Sequence, residues 1–311
     1  DRAGEGTLEI VSDWLDQEIE MSWMKEYVEK SDCGLTVLQT NGDSVKTILY
    51  CEEQFLKGKN VRPQFPGRNV GLMFGLESSL HPFIGHPSYK DISHLPLNER
   101  LSIMRDPAFK QKILNESPSF REDLQKAAKE QKSNKTKEEI KAEAEIGKKL
   151  ISNYETQFIL SDPPNYEPTR EDSIAYLAEQ RNQSEEEVIY DELIKDDGKS
   201  LIYACFTPYE NHKLKFVETF YKLKSSVAGG SDGGAHCGLI CDASMPTTNL
   251  SHWARDRSAG NKIPLELIIR KQTKDTAETY GLFDRGEIKT GMIADINIID
   301  FEKLNVSLPK M

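Results

Sequence analysis

The sequence predicts an α/β protein built from parallel βα units. Short apolar runs typical of strands alternate with segments of helical length and periodicity in residues 7–76 and again in residues 201–280. Glycine punctuates the ends of these segments, as at Gly34, Gly58 and Gly281. None of the predicted helices opens with the G-x-G-x-x-G pattern of dinucleotide-binding folds. Two architectures fit, a doubly wound sheet and a (β/α)8 barrel.

The first elements follow in regular order. Residues 7–11 predict a strand, and Ser12 or Asp13 is a candidate cap for the helix that follows. The next elements alternate in the same way and are a strand over 35–39, a helix over 45–56, and strands over 60–65 and 71–76.

A long insertion interrupts this order. From about residue 84 to residue 200 charged helical segments dominate, above all 126–149, where lysine and glutamate alternate with few apolar residues. Such a composition is typical of a solvated helix. Ser184, followed by three glutamates, is a good cap for a helix that reaches Lys195.

The βα alternation then resumes, with a strand over 201–206, a helix over 214–223, a strand from Val227 and a helix over 264–280. Residues 286–300 alternate in polarity and carry β-branched side chains, which predicts strands of a different, smaller unit. We therefore expect one domain over residues 1–283 and the start of a second over 284–311.

Composition excludes several classes of function. The net charge of −11 and a pI near 5.2 argue against nucleic acid as a partner, and no basic stripe with interleaved aromatics is present. No apolar run approaches the ~18 residues of a membrane span. The five cysteines are scattered and odd in number, which favours reduced thiols and a cytoplasmic protein over a disulfide framework.

The densest polar motif follows the strand that begins at Val227. Residues 229–236 read Gly-Gly-Ser-Asp-Gly-Gly-Ala-His. Glycines allow the backbone to approach a ligand closely, and parallel sheets and barrels place their sites at the carboxyl ends of strands. Asp232 is therefore a candidate to hold a metal or to take a proton, or else a turn aspartate bonded to local amides. His236 is a second candidate functional group.

The same residues contain the G-x-S-x-G pattern of serine hydrolases, with Ser231 as nucleophile and Asp242 and His252 as candidate partners. That mechanism requires a helix directly after the serine, because the first helical amides stabilise the oxyanion. The glycine-rich residues 233–238 make a poor first turn. The serine-hydrolase hypothesis is kept as an alternative.

Long motifs also recur in a fixed order along nearly the whole chain. They are Pro63-Gln64 with Arg68, Gly75–Ser78 with Pro82-Phe83, Pro163–Pro168, Ser231–Ser244, His252–Arg257, Pro264–Glu266, Thr273–Ala277, and Gly291–Asp295 before Ile298–Asp300. Together they resemble the D-aminoacylase (N-acyl-D-amino-acid deacylase) branch of the amidohydrolase superfamily.

The resemblance implies a fold and a reaction. The fold would be the C-terminal half of a (β/α)8 amidohydrolase-type barrel with a long helical insertion, followed by strands of a small β-sandwich. The activity would be hydrolysis of the amide bond of N-acyl-D-amino acids by water activated on one or two zinc ions. Asp232 would correspond to the family's aspartate that binds the metal, takes a proton from its water and passes it to the leaving amine.

Two parts of the family's metal site have no counterpart in this sequence. The His-x-His pair is absent, since none of the six histidines shows that spacing. The two strand ends that carry histidine ligands in the family hold Asp13 and Gln39 here, and glutamine is a weak zinc ligand. We therefore expect most zinc ligands to lie upstream of Asp1, with Asp232 as the ligand within the chain.

Four residues are predicted to contact the substrate. Arg68 follows a strand and has a planar guanidinium suited to a carboxylate, and Gln64 lies close to it. Arg255, in the same helix as Arg257, is another candidate unless helix-end ion pairs occupy it. His236 is the fourth.

The predicted partner is a small N-acylated D-amino acid, with no nucleic acid and no membrane. Half a barrel would expose two sheet edges that can pair with another copy, so a homo-oligomer is expected. The alternative to the enzyme is a catalytically inactive amidohydrolase-fold fragment with a binding or structural role.

Overall fold

The computed structural model describes residues 5–12, 16–39, 45–119, 145, 148–149, 151–207, 209, 211–234 and 236–310. The contacts within the chain define two compact units. The first comprises Asp1–Val70, Thr207–Gly234 and Asp242–Val306, and the second comprises Gly71–Phe206, Ala235–Cys241 and Ser307–Met311. The predicted division after residue 283 stays a prediction.

A four-stranded parallel sheet organises the first unit. Its strands, numbered in chain order, are β1 (Thr7–Ile10), β2 (Gly34–Leu38), β3 (Val61–Pro66) and β7 (Val227–Gly229). They are hydrogen-bonded in the order β1-β2-β3-β7, and all three pairings are parallel. The carboxyl ends of all four strands therefore lie at the same edge of the sheet.

The helices of this unit follow its strands. They are α1 (Gln17–Lys30), α2 (Val45–Leu56), α8 (Lys215–Lys222), α9 (Met245–Thr248), the π-helical segment Asn249–Asp256, α10 (Leu265–Gln272) and α11 (Lys274–Thr279). Apolar residues of α1 and α2 pack with Leu35, Val37 and Val61 of the sheet, so both helices cover the same face of it.

The second unit contains a smaller sheet and several α-helices. Its strands are β4 (Val70–Phe74), β5 (Gln157–Ile159) and β6 (Ile202–Thr207), in the order β4-β6-β5, with β5 and β6 antiparallel. Its helices are α3 (Pro87–Ile92), α4 (Leu97–Met104), α5 (Pro107–Leu114), α6 (Ile174–Arg181) and α7 (Glu185–Leu193). Most of the charged segment 126–149 lies outside the described residues.

The α/β prediction is confirmed. The described strands form two separate sheets, and the predicted half of a (β/α)8 barrel stays a prediction. The predicted helix over 264–280 is two helices, since Thr273 leaves helical geometry with φ −122° and ψ −84°. The described tail, residues 284–310, contains no strand, so the sandwich also stays a prediction. Among the described helices, none has the length and apolar character needed to cross a membrane.

Helix caps show how the sequence sets element ends. Ser184 caps α7 as predicted, with its hydroxyl accepting a hydrogen bond from the Glu187 amide at 3.2 Å. The prediction of Ser12 as the cap of α1 is wrong. Asp16 caps that helix, accepting from the amides of the second and third residues beyond it, which a carboxylate placed directly before the first turn can reach. Asp13 lies outside the described residues.

The second unit buries a neutral histidine. His81 is 1% exposed and lies edge-on to Tyr89, with 4.5 Å between ring centroids. The Tyr89 hydroxyl accepts a hydrogen bond from Arg100 Nη1 at 2.7 Å. Burial lowers the pKa of His81 to about 3, and the positive charge of Arg100 acts in the same direction. The fold therefore holds this imidazole in its neutral form, with one ring proton.

Mild acid is expected to weaken this fold. Between pH 6.5 and about 3 the unfolded chain binds a proton on His81 that the folded chain does not. The free energy of unfolding should therefore fall with falling pH, by up to ~1.4 kcal/mol per pH unit for this group. His81→Phe should reduce the slope between pH 7 and pH 5 in urea unfolding. The matched change His94→Phe, at an exposed histidine, should leave the pH slope of the unfolding free energy unchanged. An unchanged slope in His81→Phe would contradict the neutral, buried state of His81.

Candidate active site

The candidate site lies at the carboxyl ends of β3 and β7, which are neighbours in the parallel sheet. Pro66 at the end of β3 pairs with Gly229 at the end of β7. The loops that follow, one carrying Arg68 and the other Asp232, therefore leave the sheet side by side. Open α/β sheets bind ligands at this edge.

Two glycines shape the end of β7. A Cβ atom at Gly229 would collide with the side chain of Gln64, so a glycine is needed for the two strands to pack. Gly230 has φ +74°, in the left-handed region that favours glycine, and it turns the chain away from the sheet. Asp232 follows on this loop and is exposed. Gln64, predicted to contact substrate, is 6% exposed.

Arg68 joins the two loops. Its side chain is fully buried, and its Nη2 lies 3.3 Å from Asp242 Oδ1 and 3.3 Å from Ser244 Oγ. Both partners belong to the segment after β7, so the guanidinium ties that segment to the end of β3. The predicted contact of Arg68 with a substrate carboxylate stays a prediction, and the guanidinium already has a carboxylate partner within the protein.

Two carboxylates of opposite exposure share this edge of the sheet. Asp242 is 6% exposed, and its burial raises its pKa to about 6; Arg68 opposes the rise and the nearby Asp232 adds to it. Asp232 is exposed to solvent. The charge on Asp232 is therefore felt by Asp242, and the accessible member of the pair is the one predicted to transfer protons.

Residues that follow Asp242 also clamp the turn after β3. Trp253 is buried, and its Nε1 donates a hydrogen bond of 2.6 Å to the Gly67 carbonyl. The Gly67 amide donates to Met245 Sδ at 3.1 Å. A Cβ at position 67 would collide with the side-chain amide of Asn249, so this clamp requires glycine. The turn is thus held from three positions of one segment.

The two arginines of the π-helical segment have different surroundings. Arg257 stacks over Trp253, 4.2 Å from the ring centroid, and donates to Glu218 Oε2 at 3.1 Å. Arg255, predicted to contact substrate, donates to the carbonyl of Phe301 and, at 2.7 Å, to that of Leu304. The structure thus brings Arg255 to the chain's tail, and its predicted role in substrate binding stays untested.

His236 is exposed and has φ +55°. Its carbonyl accepts hydrogen bonds from the amides of Leu239 and Ile240, each 2.8 Å long, so its backbone closes a turn. It belongs to the second compact unit, whereas Asp232 belongs to the first. The predicted substrate contact of His236 stays a prediction.

The residues present do not fit a zinc site by themselves. Within the described part of the chain, no group of three or more His, Cys, Asp or Glu side chains comes together. Gln39, one of the two residues that the motif resemblance placed at histidine positions, is fully buried, and its Nε2 donates to the Val37 carbonyl at 3.2 Å. Asp13 lies outside the described residues. Asp232 therefore belongs to no group of three such side chains among the described residues, and its metal-binding role stays a prediction.

The serine-hydrolase alternative finds no support in the local backbone. Residues 232–234 are not helical, and the next helix among the described residues begins at Met245. No helical amides lie directly after the serine to receive an oxyanion, which the nucleophile elbow requires.

A cleft beside the end of β7 was not predicted. It has a volume of about 160 Å³, and its lining includes Ser231, Asn249, Gln272 and Thr276. The sequence marks Ser231 only as a candidate nucleophile and places Gln272 and Thr276 in the predicted helix over 264–280. No local pattern marks them, because three separate segments bring them together.

Comparison with known families agrees with part of this picture. Residues 215–311 match the model of an amidohydrolase family. The match covers about a third of the chain and includes Asp232, Asp242 and Asn249. It supports a hydrolase of the amidohydrolase superfamily. No curated protein and no solved structure gives a significant match to the chain.

The buried Arg68–Asp242 pair is expected to be strongly coupled. Arg68→Met or Asp242→Leu alone leaves one buried charge without its partner and should lower the free energy of unfolding by about 3–5 kcal/mol. The double variant should lose less than the sum of the two, with a coupling of at least ~1 kcal/mol in urea unfolding.

The matched control for this cycle is the exposed pair of Lys30 and Glu26, whose side chains are 73% and 63% exposed. Solvent screens such pairs, so their cycle should show no measurable coupling. Additive effects of Arg68→Met and Asp242→Leu would contradict the ion pair between these two side chains.

Proposed function

We propose that this protein hydrolyses the amide bond of N-acyl-D-amino acids and that Asp232 is its acid–base group. The observation that carries the proposal is the position of Asp232. It is an exposed carboxylate on a glycine-turned loop at the carboxyl end of a parallel strand, within the region that matches an amidohydrolase family. The D-amino-acid specificity rests on the resemblance of motifs such as Ser231–Ser244.

Asp232 takes part in the reaction only by accepting and donating a proton. Its carboxylate accepts a proton from water as the water oxygen bonds to the acyl carbon. It then donates that proton to the amide nitrogen as the C–N bond breaks, which releases a carboxylic acid and the free D-amino acid. Positioned acid–base groups of this kind contribute about 10²–10⁴ in rate. No step of this mechanism is assigned to a metal.

The surrounding residues support this role by fixing the loop. Arg68 and Asp242 anchor the segment after β7 to the end of β3, and Gly230 turns the chain away from the sheet two residues before Asp232. Asp232 can then meet water and substrate while its loop stays attached at both ends. A fixed carboxylate loses less freedom on reaching the reactive arrangement.

A second candidate function is an inactive amidohydrolase-fold protein that binds N-acyl-D-amino acids without cleaving them. The observation in its favour is the donor set. The described residues bring together no three side chains suited to zinc, and Gln39 stands at a strand end where the family has histidine. Such a protein would bind the N-acyl-D-amino acid and show no turnover.

Replacement of Asp232 tests the enzyme directly. Asp232→Asn keeps the shape of the side chain and removes its ability to carry a proton, so release of D-amino acid from an N-acetyl-D-amino acid should fall at least ~100-fold. The control is Asp295→Asn, an exposed carboxylate of the tail, which should retain wild-type turnover. Wild-type turnover in Asp232→Asn would refute the role. Substrate binding without turnover in the wild-type protein would favour the second candidate.

A further inference from the structure

Arg255 uses its whole guanidinium on the protein itself. A guanidinium carries five N–H donors, one on Nε and two on each terminal nitrogen. Nε and Nη2 donate to the Asp256 carboxylate at 2.7 and 2.8 Å. The other three contacts go to backbone carbonyls of the tail, from Nη2 to Leu304 at 2.7 Å and from Nη1 to Glu302 at 3.1 Å and to Phe301. Five contacts therefore match five donors, and no N–H is left for a substrate carboxylate.

The three carbonyls belong to one short turn of the tail, residues 300–304, which we call the latch turn. The Lys303 amide donates to the Asp300 carbonyl at 3.2 Å, and the Leu304 amide donates to the Phe301 carbonyl at 3.4 Å. Successive bonds from residue i+3 to residue i form a helical turn, whose last carbonyls have no amide partner within it. An arginine side chain can satisfy such carbonyls. The guanidinium thus binds the latch turn by its carbonyl end.

The residues before the latch turn are exposed. Every residue from 293 to 300 is exposed, and Ile298 is 99% exposed. Phe301 and Leu304 are half-buried. Arg255 Cζ lies 5.6 Å from the centroid of the Phe301 ring, within the range of a cation–π contact. The tail therefore returns to the body of the first unit at the latch turn.

Arg255 belongs to the segment that clamps the site. It lies in the π-helical segment Asn249–Asp256, two residues after Trp253, whose indole donates to the Gly67 carbonyl. Such π-helical turns are rare, and proteins keep them mostly at functional sites. The latch turn is attached at the carboxyl end of this segment, directly beyond the clamp. If that end came loose, the indole would lose its fixed position over the carbonyl.

We propose that Arg255 is a positioning residue, which latches the tail onto the π-helical segment and thereby holds the Trp253 indole on Gly67. This role replaces its predicted contact with a substrate carboxylate. The latch itself does not depend on a substrate. Its effect on turnover rests on the hydrolysis proposed above, because the clamped turn carries the arginine that anchors the loop of Asp232.

Exchange of the Trp253 indole proton tests the latch without any substrate. The indole is buried and bonded, so its N–H exchanges with solvent only when the clamp opens. In NMR spectra of the full chain, Arg255→Gln should raise this exchange rate at least ~10-fold. Arg285→Gln, which removes a tail arginine bonded to Asp284 and Asp295, is the control and should leave the rate unchanged. An unchanged rate in Arg255→Gln would overturn the proposal.

Arg255→Lys separates charge from geometry. Lysine keeps the positive charge but has three donors on one nitrogen, so it cannot span the Asp256 carboxylate and three separate carbonyls. The exchange rate of the Trp253 indole should therefore rise in this variant too. Wild-type exchange in Arg255→Lys would show that charge alone suffices and would contradict the role of the guanidinium.

A change in the tail tests the other side of the latch. Glu302→Pro forces the preceding residue toward extended backbone and opens the latch turn, and its exposed position leaves the core of the fold intact. It should raise Trp253 indole exchange as Arg255→Gln does, and the double variant should show no more than the larger single effect. Asn297→Pro, in the exposed part of the tail, is the control. Independent effects of the two changes would contradict the latch.

Kinetics separate positioning from substrate binding. With an N-acetyl-D-amino acid, Arg255→Gln should lower kcat at least ~10-fold and leave KM within about twofold, because the reacting groups lose their positions. A raised KM with unchanged kcat would assign the guanidinium to substrate binding and overturn the proposal. Absence of turnover in the wild-type protein would refute the proposed hydrolysis instead, and indole exchange would then decide the latch alone.

Discussion

The turn Pro66–Arg68 is the constraint on which the site depends. Its backbone is held by Trp253 Nε1 on the Gly67 carbonyl, and its arginine is held by Asp242 and Ser244. All of these partners come from the segment after β7, so the turn joins two neighbouring strand ends that are far apart in sequence. If the turn moved, the loop that carries Asp232 would lose its attachment to β3.

The two carboxylates near this junction, Asp242 and Asp232, have different roles. Asp242 is buried against Arg68, and its carboxylate anchors the segment after β7. That burial raises the pKa of Asp242. Asp232 stays in solvent on the glycine-turned loop, where a carboxylate can exchange protons with water. The same segment also supplies Asn249, whose carboxamide lies over Gly67 and lines the cleft.

Local sequence signals predicted most of the elements and few of the contacts that build the site. The strands near residues 7, 35, 61 and 227 and the cap at Ser184 follow from apolar runs, glycines and capping chemistry within a few residues. The pairing of Arg68 with Asp242 spans more than 170 positions, so no periodicity reveals it. Helix α1 begins later than predicted because Asp16 is nearer than Ser12 to the first turn and reaches the free amides of that turn. Tail strands need partner strands, which composition alone does not supply.

The proposed cleavage of N-acyl-D-amino acids is tested most directly by an assay with two enantiomers. The purified protein, with and without added zinc, is given the D- and L-forms of one N-acetyl amino acid, and release of the free amino acid is followed. We expect release from the D-enantiomer, with little or none from the L-enantiomer. Equal rates on both, or no release from either under both conditions, would contradict it.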